Sequence, residues 1–204
     1  MLEIIDLNFS YEDRPLLTKV NFVVNPNSLL HLRGGNGVGK TTLLKLLAGI
    51  IEPISGDIRY LDNSITDNKS SYQQNISYIG HKLGLSKLLT VRENYKFCFG
   101  HDNDKNKFNE LLNDLGLKGY EDKTLNLLSA GLQHRAALMC ILKNSSAIWL
   151  LDEPFVSLDD KAISLLMEKI KGKIRQGGIV IITSHQNINL NDPNTSINYQ
   201  EYFL

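Results

Sequence analysis

The segment Gly34-Gly35-Asn36-Gly37-Val38-Gly39-Lys40-Thr41 constrains this chain more than any other stretch. It matches G-x-x-x-x-G-K-[ST] at every fixed position. A short apolar run, Ser28 to Arg33, leads into it, and a helix-forming run, Thr41 to Ile50, leads away. A strand feeding a glycine-rich turn that opens a helix brings backbone N–H groups and the positive end of a helix dipole to one point. Side-chain-free glycines let phosphate oxygens approach those amides. Lys40 has the reach for β- and γ-phosphates, and the Thr41 hydroxyl is a ligand for Mg²⁺. Thr42 completes a candidate nucleotide-binding set of Gly34, Gly35, Asn36, Gly37, Val38, Gly39, Lys40, Thr41 and Thr42. A chance lysine in a glycine-rich turn explains neither flank. The spacing is not the G-x-G-x-x-G of dinucleotide sites.

The remaining pattern is that of an α/β chain. Strands are expected over Leu2 to Phe9, Lys19 to Val24, Asp57 to Leu61 and Ile76 to Ile79, and again over Ala147 to Leu151 and Ile179 to Thr183. Asn25-Pro26-Asn27 ends the second strand, and Glu52-Pro53 stops the first helix. Asp62 to Gln74, rich in Asn and Ser, reads as a loop. From Lys82 to about Leu142 helical spacing takes over, through Phe108, Leu111, Leu112 and Leu115. Lys161 to Arg175 is an amphipathic helix. Strand–helix–strand at both ends of a helical block predicts a parallel-sheet α/β core. Its 204 residues, 42% of them hydrophobic, suffice for one domain. Gln186 to Leu204 reads as a polar tail too short for an added regulatory domain.

A second cluster of chemistry lies at strand ends. Ala147 to Leu151 runs into Asp152-Glu153-Pro154, and Ile179 to Thr183 runs into Ser184-His185. Sheet tips are where α/β folds assemble sites. Asp152 is the expected Mg²⁺ ligand, usually through water, and Glu153 the group that polarises an attacking water. His185 alone would be structural, but the same sheet can carry it to the γ-phosphate.

Composition excludes several alternatives. Lys plus Arg and Asp plus Glu both number 22, so bulk electrostatic attraction to nucleic acid or anionic lipid is not expected. Cys98 and Cys140 fit no C-x-x-C or zinc spacing and are expected as free thiols. No apolar run reaches membrane-spanning length, and Met1 to Tyr11 has no basic n-region, so a soluble chain without a signal peptide is expected.

Taken in order, these markers resemble the ATP-binding subunits of ABC transporters. After the loop ending at Lys40-Thr41 come Leu128-Ser129-Ala130-Gly131-Leu132, which resembles the family signature, then Asp152-Glu153, then Ser157-Leu158-Asp159, which resembles the D-loop, then His185, which resembles the switch histidine. Tyr11 stands where the family stacks an aromatic ring on adenine. The resemblance implies a P-loop NTPase fold with N-terminal antiparallel strands, a parallel core and an inserted helical subdomain at about 82–142 of one 1–204 domain. It implies ATP and Mg²⁺ as cofactors and a homodimer in which Ser129 and Gly131 act on the partner chain's ATP. Two departures stand out. Ala130 and Leu132 replace Gly and Gln of the usual signature, and Gly80-His81 stands where the family has a Gln that senses Mg²⁺. His81 is therefore a further candidate metal ligand.

Those departures resemble the cytochrome c biogenesis branch, the haem-exporter subfamily. Tyr78-Ile79-Gly80-His81, Leu89-Thr90-Val91-Arg92-Glu93-Asn94, Leu128-Ser129-Ala130-Gly131 and Asp152-Glu153-Pro154-Phe155 carry this finer likeness. It implies a CcmB-like membrane permease, reached through the region His81 to Phe99, with CcmC-like and CcmE-like haem-handling proteins as neighbours. The expected location is the cytoplasmic face of the inner membrane, and no nucleic-acid partner is expected. The competing reading is a subunit serving another solute. Trp149 is expected as core packing, and His31, His101 and His134 as structural or solvated histidines.

Overall fold

The computed structural model describes residues 1–99, 105–143, 146–185, 188 and 197–204. The chain divides into two compact units. The first comprises Met1–Tyr78, Ser146–Pro154 and Lys171–Leu204. The second comprises Ile79–Ser145 and Phe155–Ile170.

The first unit holds two sheets. One contains β1 (Leu2–Tyr11), β2 (Arg14–Val24), β4 (Ser55–Tyr60) and β5 (Asn63–Ser64), in the order β2-β1-β4-β5, with antiparallel ladders throughout. The other contains β3 (Ser28–Arg33), β6 (Ile76–Ile79), β7 (Ile148–Asp152), β8 (Ile179–Thr183) and β9 (Asn198–Phe203), in the order β6-β7-β8-β3-β9. The β7–β8, β3–β8 and β3–β9 ladders are parallel. β7 and β8 are buried at every position, which is why they read as unbroken apolar runs. One face of the parallel sheet, Leu30, Leu32, Ile148, Leu150, Ile179 and Ile181, shares a core with Leu43, Leu44, Leu46 and Leu47 of α1 (Lys40–Leu47) and with Leu2, Ile4 and Leu7 of β1.

Three elements differ from the sequence expectation. β2 begins at Arg14, five residues earlier than Lys19, and accommodates Pro15 because it is an edge strand. The predicted loop at 62–74 contains β5 and α2 (Lys69–Gln74). The tail contains β9, which lies beside β3. Trp149 is buried in β7, with the Lys173 ammonium 5.6 Å from its ring centre. His101 lies outside the described residues.

The second unit is helical. α3 (Val91–Phe99) and α4 (Lys105–Asp114) both pack on α5 (Ala130–Lys143), and α6 (Asp160–Arg175) begins in this unit. The Tyr95 and Phe108 rings meet at 4.7 Å, and Leu111, Leu112 and Leu115 are buried, as their helical spacing requires. Lys105 to Lys107 open α4. Among the described residues no helix is long and apolar enough to cross a membrane.

Candidate functional site

α1 opens directly from the glycine-rich loop. Its N-cap, Gly39, has φ 109°, a left-handed conformation, and a Cβ there would stand 2.8 Å from Leu17 Cδ2. Backbone conformation and packing thus both select glycine. No side chain caps this helix end and no acidic residue occupies its first turn, so the first-turn amides and the dipole remain available to an anion. Lys40 folds back over the loop, its Nζ donating to the carbonyls of Gly34 and Gly35 at 2.8 Å each.

The acidic half of the site is tied to this loop by hydrogen bonds. Thr41 Oγ1 donates to Asp152 Oδ2 at 2.8 Å. Asp152, buried at the tip of β7, accepts through Oδ1 from Thr183 Oγ1, also at 2.8 Å. Thr183 Oγ1 in turn accepts from the Glu153 amide at 2.9 Å. The last residues of β7 and β8 are register partners, which brings Thr183 beside Asp152. Glu153 has φ 49°, an uncommon conformation for a side-chain-bearing residue, and its amide also reaches the Thr183 carbonyl at 3.2 Å. Its Oε1 lies 3.5 Å from Nε2 of the exposed His185. Tyr78 is half-buried in the same unit, and burial, reinforced by the Asp152 charge, pushes its phenol up to about 12.

These residues line an open cleft of about 390 Å³ formed by Tyr11, Leu16, Asn36, Gly37, Gly39, Lys40, Thr41, Thr42, Asp152, Glu153 and His185. Tyr11 is half-exposed, braced edge-on against Phe9 at 4.9 Å, with its hydroxyl 3.5 Å from Thr42 Oγ1. The cleft therefore offers an aromatic and aliphatic end, an anion cradle, and two carboxylates beside an imidazole. Among the described residues no cluster of three or more His, Cys, Asp or Glu could hold a metal unaided. The Thr41 hydroxyl and the Asp152 carboxylate are hard oxygen donors, the kind Mg²⁺ takes together with phosphate oxygens and water.

His81, Ser129 and Gly131 belong to the second unit, and His81 is exposed. Ser129 Oγ accepts from the Leu132 amide at 3.4 Å, at the start of α5. Gly131 lies against the Ser157 turn, where a Cβ would stand 2.6 Å from the Ser157 carbonyl oxygen. Arg135 Nη2 donates to Asp159 Oδ2 at 2.7 Å, joining the signature helix to the Ser157–Asp159 segment. Sequence reasoning passed over Thr183, Leu16, Tyr78 and Arg135. For Thr183 the signal was available: it is the one polar residue closing an otherwise apolar run of five.

The ABC transporter family model matches residues 17–156. The cytochrome c biogenesis ATP-binding export protein CcmA of Legionella pneumophila (strain Lens) is 38% identical over 204 residues, covering the whole of both chains. The protein of that name from Escherichia coli (strain K12) is 37% identical over 190 residues, 93% of this chain and 91% of its own. A solved ATP-binding subunit of an ABC transporter superposes with a TM-score of 0.82 at 26% identity, covering 91% of this chain and 79% of that one.

Proposed function

This chain belongs to the ABC transporter family, in the branch of the cytochrome c biogenesis ATP-binding proteins, and on that premise we propose that it hydrolyses ATP to drive a membrane complex that matures c-type cytochromes. The observation that carries the catalytic part is the hydrogen-bonded chain Thr41–Asp152–Thr183–Glu153, which links the anion cradle to the strand-tip carboxylates in one cleft. Adenine lies on Tyr11, and the phosphates lie on the amides of Gly34 to Thr42. Lys40 leaves its two carbonyl partners for the β- and γ-phosphate oxygens. Glu153 orients the attacking water, and His185, within reach of Glu153, holds the γ-phosphate side of the cleft. Thr41 and Asp152 are the residues that would hold Mg²⁺, which when bound offsets charge on the phosphates. His81 is a further candidate for contact with that ion or its water.

The working unit is a homodimer in which Ser129 and Gly131 of one chain meet the ATP of the other. The dimer sits against a CcmB-like permease at the cytoplasmic face of the inner membrane, with CcmC-like and CcmE-like haem-handling proteins nearby. Exposed apolar residues of the second unit support this docking. Leu88, Phe97 and Leu127 are 80%, 83% and 75% exposed, and backbone hydrogen bonds from Leu125 to Leu89 and from Asn126 to Lys87 hold the first and last of these segments together. Lys40→Ala tests the site: nucleotide binding and phosphate release should both fall to background in a chain that still melts cooperatively. Turnover at the wild-type rate would remove the cleft as the ATP site.

A further inference from the structure

His31 sits in the middle of β3 with no solvent exposure, which is unusual for a titratable side chain. Both of its ring nitrogens are engaged. Nε2 lies 2.9 Å from the Ser184 carbonyl oxygen, and Nδ1 lies 3.0 Å from the Tyr199 hydroxyl. A carbonyl only accepts, so Nε2 carries the hydrogen. The sheet register explains the reach. His31 pairs with Ile182 of β8 on one side and Glu201 of β9 on the other. Tyr199 is two residues before the second and so belongs to the side-chain row of His31, whereas Ser184, one residue past the end of β8, meets the ring through its backbone carbonyl.

The Ser184 carbonyl lies in the same rigid peptide plane as the His185 amide. β8 ends at Thr183, so this plane lies past the last residue of the strand, and the His31 bond fixes its orientation at the point where His185 departs. The other side of the ring is braced in turn. The Tyr199 hydroxyl, whose single hydrogen serves one neighbour at a time, lies 3.0 Å from His31 Nδ1 and 2.7 Å from Glu201 Oε1, and Arg33 Nη1 donates to that Glu201 oxygen at 2.8 Å. Arg33 immediately precedes Gly34, and its carbonyl accepts from the Leu204 amide at 3.0 Å. A row of side-chain contacts therefore runs from the peptide before His185, through His31 of β3, to Tyr199 and Glu201 of β9 and back to Arg33, the residue before the glycine-rich loop.

We propose that His31 is a positioning residue for His185, with Tyr199 of β9 holding the His31 ring, so that β9 braces the nucleotide cleft without touching it. The role rests on the reading of His185 as part of the ATP site. It requires that losing the network slow turnover while leaving the amides that bind phosphate intact.

The test measures steady-state ATP turnover of the full chain in His31→Leu, Tyr199→Phe and His185→Ala, singly and combined. His31→Leu should lower kcat about tenfold with KM for ATP within about twofold, since misplacement of a reacting group costs rate before it costs binding. Tyr199→Phe, on a partly exposed strand, leaves the core untouched and should lower kcat in the same direction by a smaller factor. Neither change should slow the residual turnover of His185→Ala further, because its target is already gone. Wild-type kcat in both variants beside an impaired His185→Ala overturns the positioning role alone. An undiminished further loss in the His185→Ala background also overturns it, since general damage to the sheet would act that way. Wild-type turnover in His185→Ala removes the site reading and the positioning role together. If His31→Leu fails to fold, Tyr199→Phe and its combination with His185→Ala decide the matter.

Discussion

The Thr183 hydroxyl donates to Asp152 and accepts from the Glu153 amide, while Asp152 accepts from both Thr183 and Thr41. Thr183→Val keeps the shape and removes both hydrogen bonds, leaving the buried Asp152 Oδ1 without its partner at about 1–3 kcal/mol, while the Glu153 amide keeps its longer bond to the Thr183 carbonyl. It is expected to lower the melting temperature by several degrees and to cut ATP turnover about ten- to a hundredfold, as loss of a group that orients a ligand does elsewhere. Thermal melting and phosphate release measured on the same preparation check both. At this scale the sequence was informative where spacing alone dictates chemistry, as in Gly34 to Thr41. It was uninformative for His31, whose two partners lie 153 and 168 positions away in the chain. Contacts that depend on the order β8-β3-β9 cannot be read before that order is known.

At the scale of elements, α5 and α6 are joined through Gly131, Arg135 and Asp159. Gly131→Ala would bring a Cβ against a backbone carbonyl, which cannot swing away as a side chain can. The expected cost is about 1–3 kcal/mol, read as a lower melting temperature, with turnover reduced alongside it. Asp159 accepts from the Ala162 amide, which with the Arg135 guanidinium holds its carboxyl below the ordinary range. A depressed folded value means that this stabilisation is present above the ordinary carboxylate range and is lost as pH falls through the folded value. Asp159→Asn should therefore lower the melting temperature at neutral pH, and the difference should shrink as pH falls below the ordinary carboxylate range. Elements the sequence concealed share a cause. α2 buries only Tyr72 and is capped by Asn68, whose side chain accepts from the Ser71 amide at 3.1 Å, so a helix start looked like a loop. β9 alternates between exposed and half-exposed residues at a sheet edge and never buries a residue fully, which leaves no apolar signal.

At the scale of the whole molecule, the proposed function puts ATP in the cleft of the first unit and gives the signature segment of the second a role on another chain's ATP. Glu153→Gln should retain ATP binding, lose hydrolysis, and accumulate as an ATP-dependent dimer on size exclusion, while wild type returns to its resting state after turnover. A variant that stays monomeric with ATP bound speaks against the two-chain arrangement. The fold class and the cleft were legible because short motifs occur in a fixed order along the chain. The proposed permease contact came only from the resemblance, as the region His81 to Phe99, and one sequence does not distinguish which apolar residues there, such as Leu88 and Phe97, stay exposed. The most direct measurement of the central claim is covalent-haem staining of c-type cytochromes in host cells whose only copy carries Glu153→Gln. The account predicts that staining disappears while the protein is still made at its normal level. Normal staining would contradict a role for this ATPase in cytochrome c maturation.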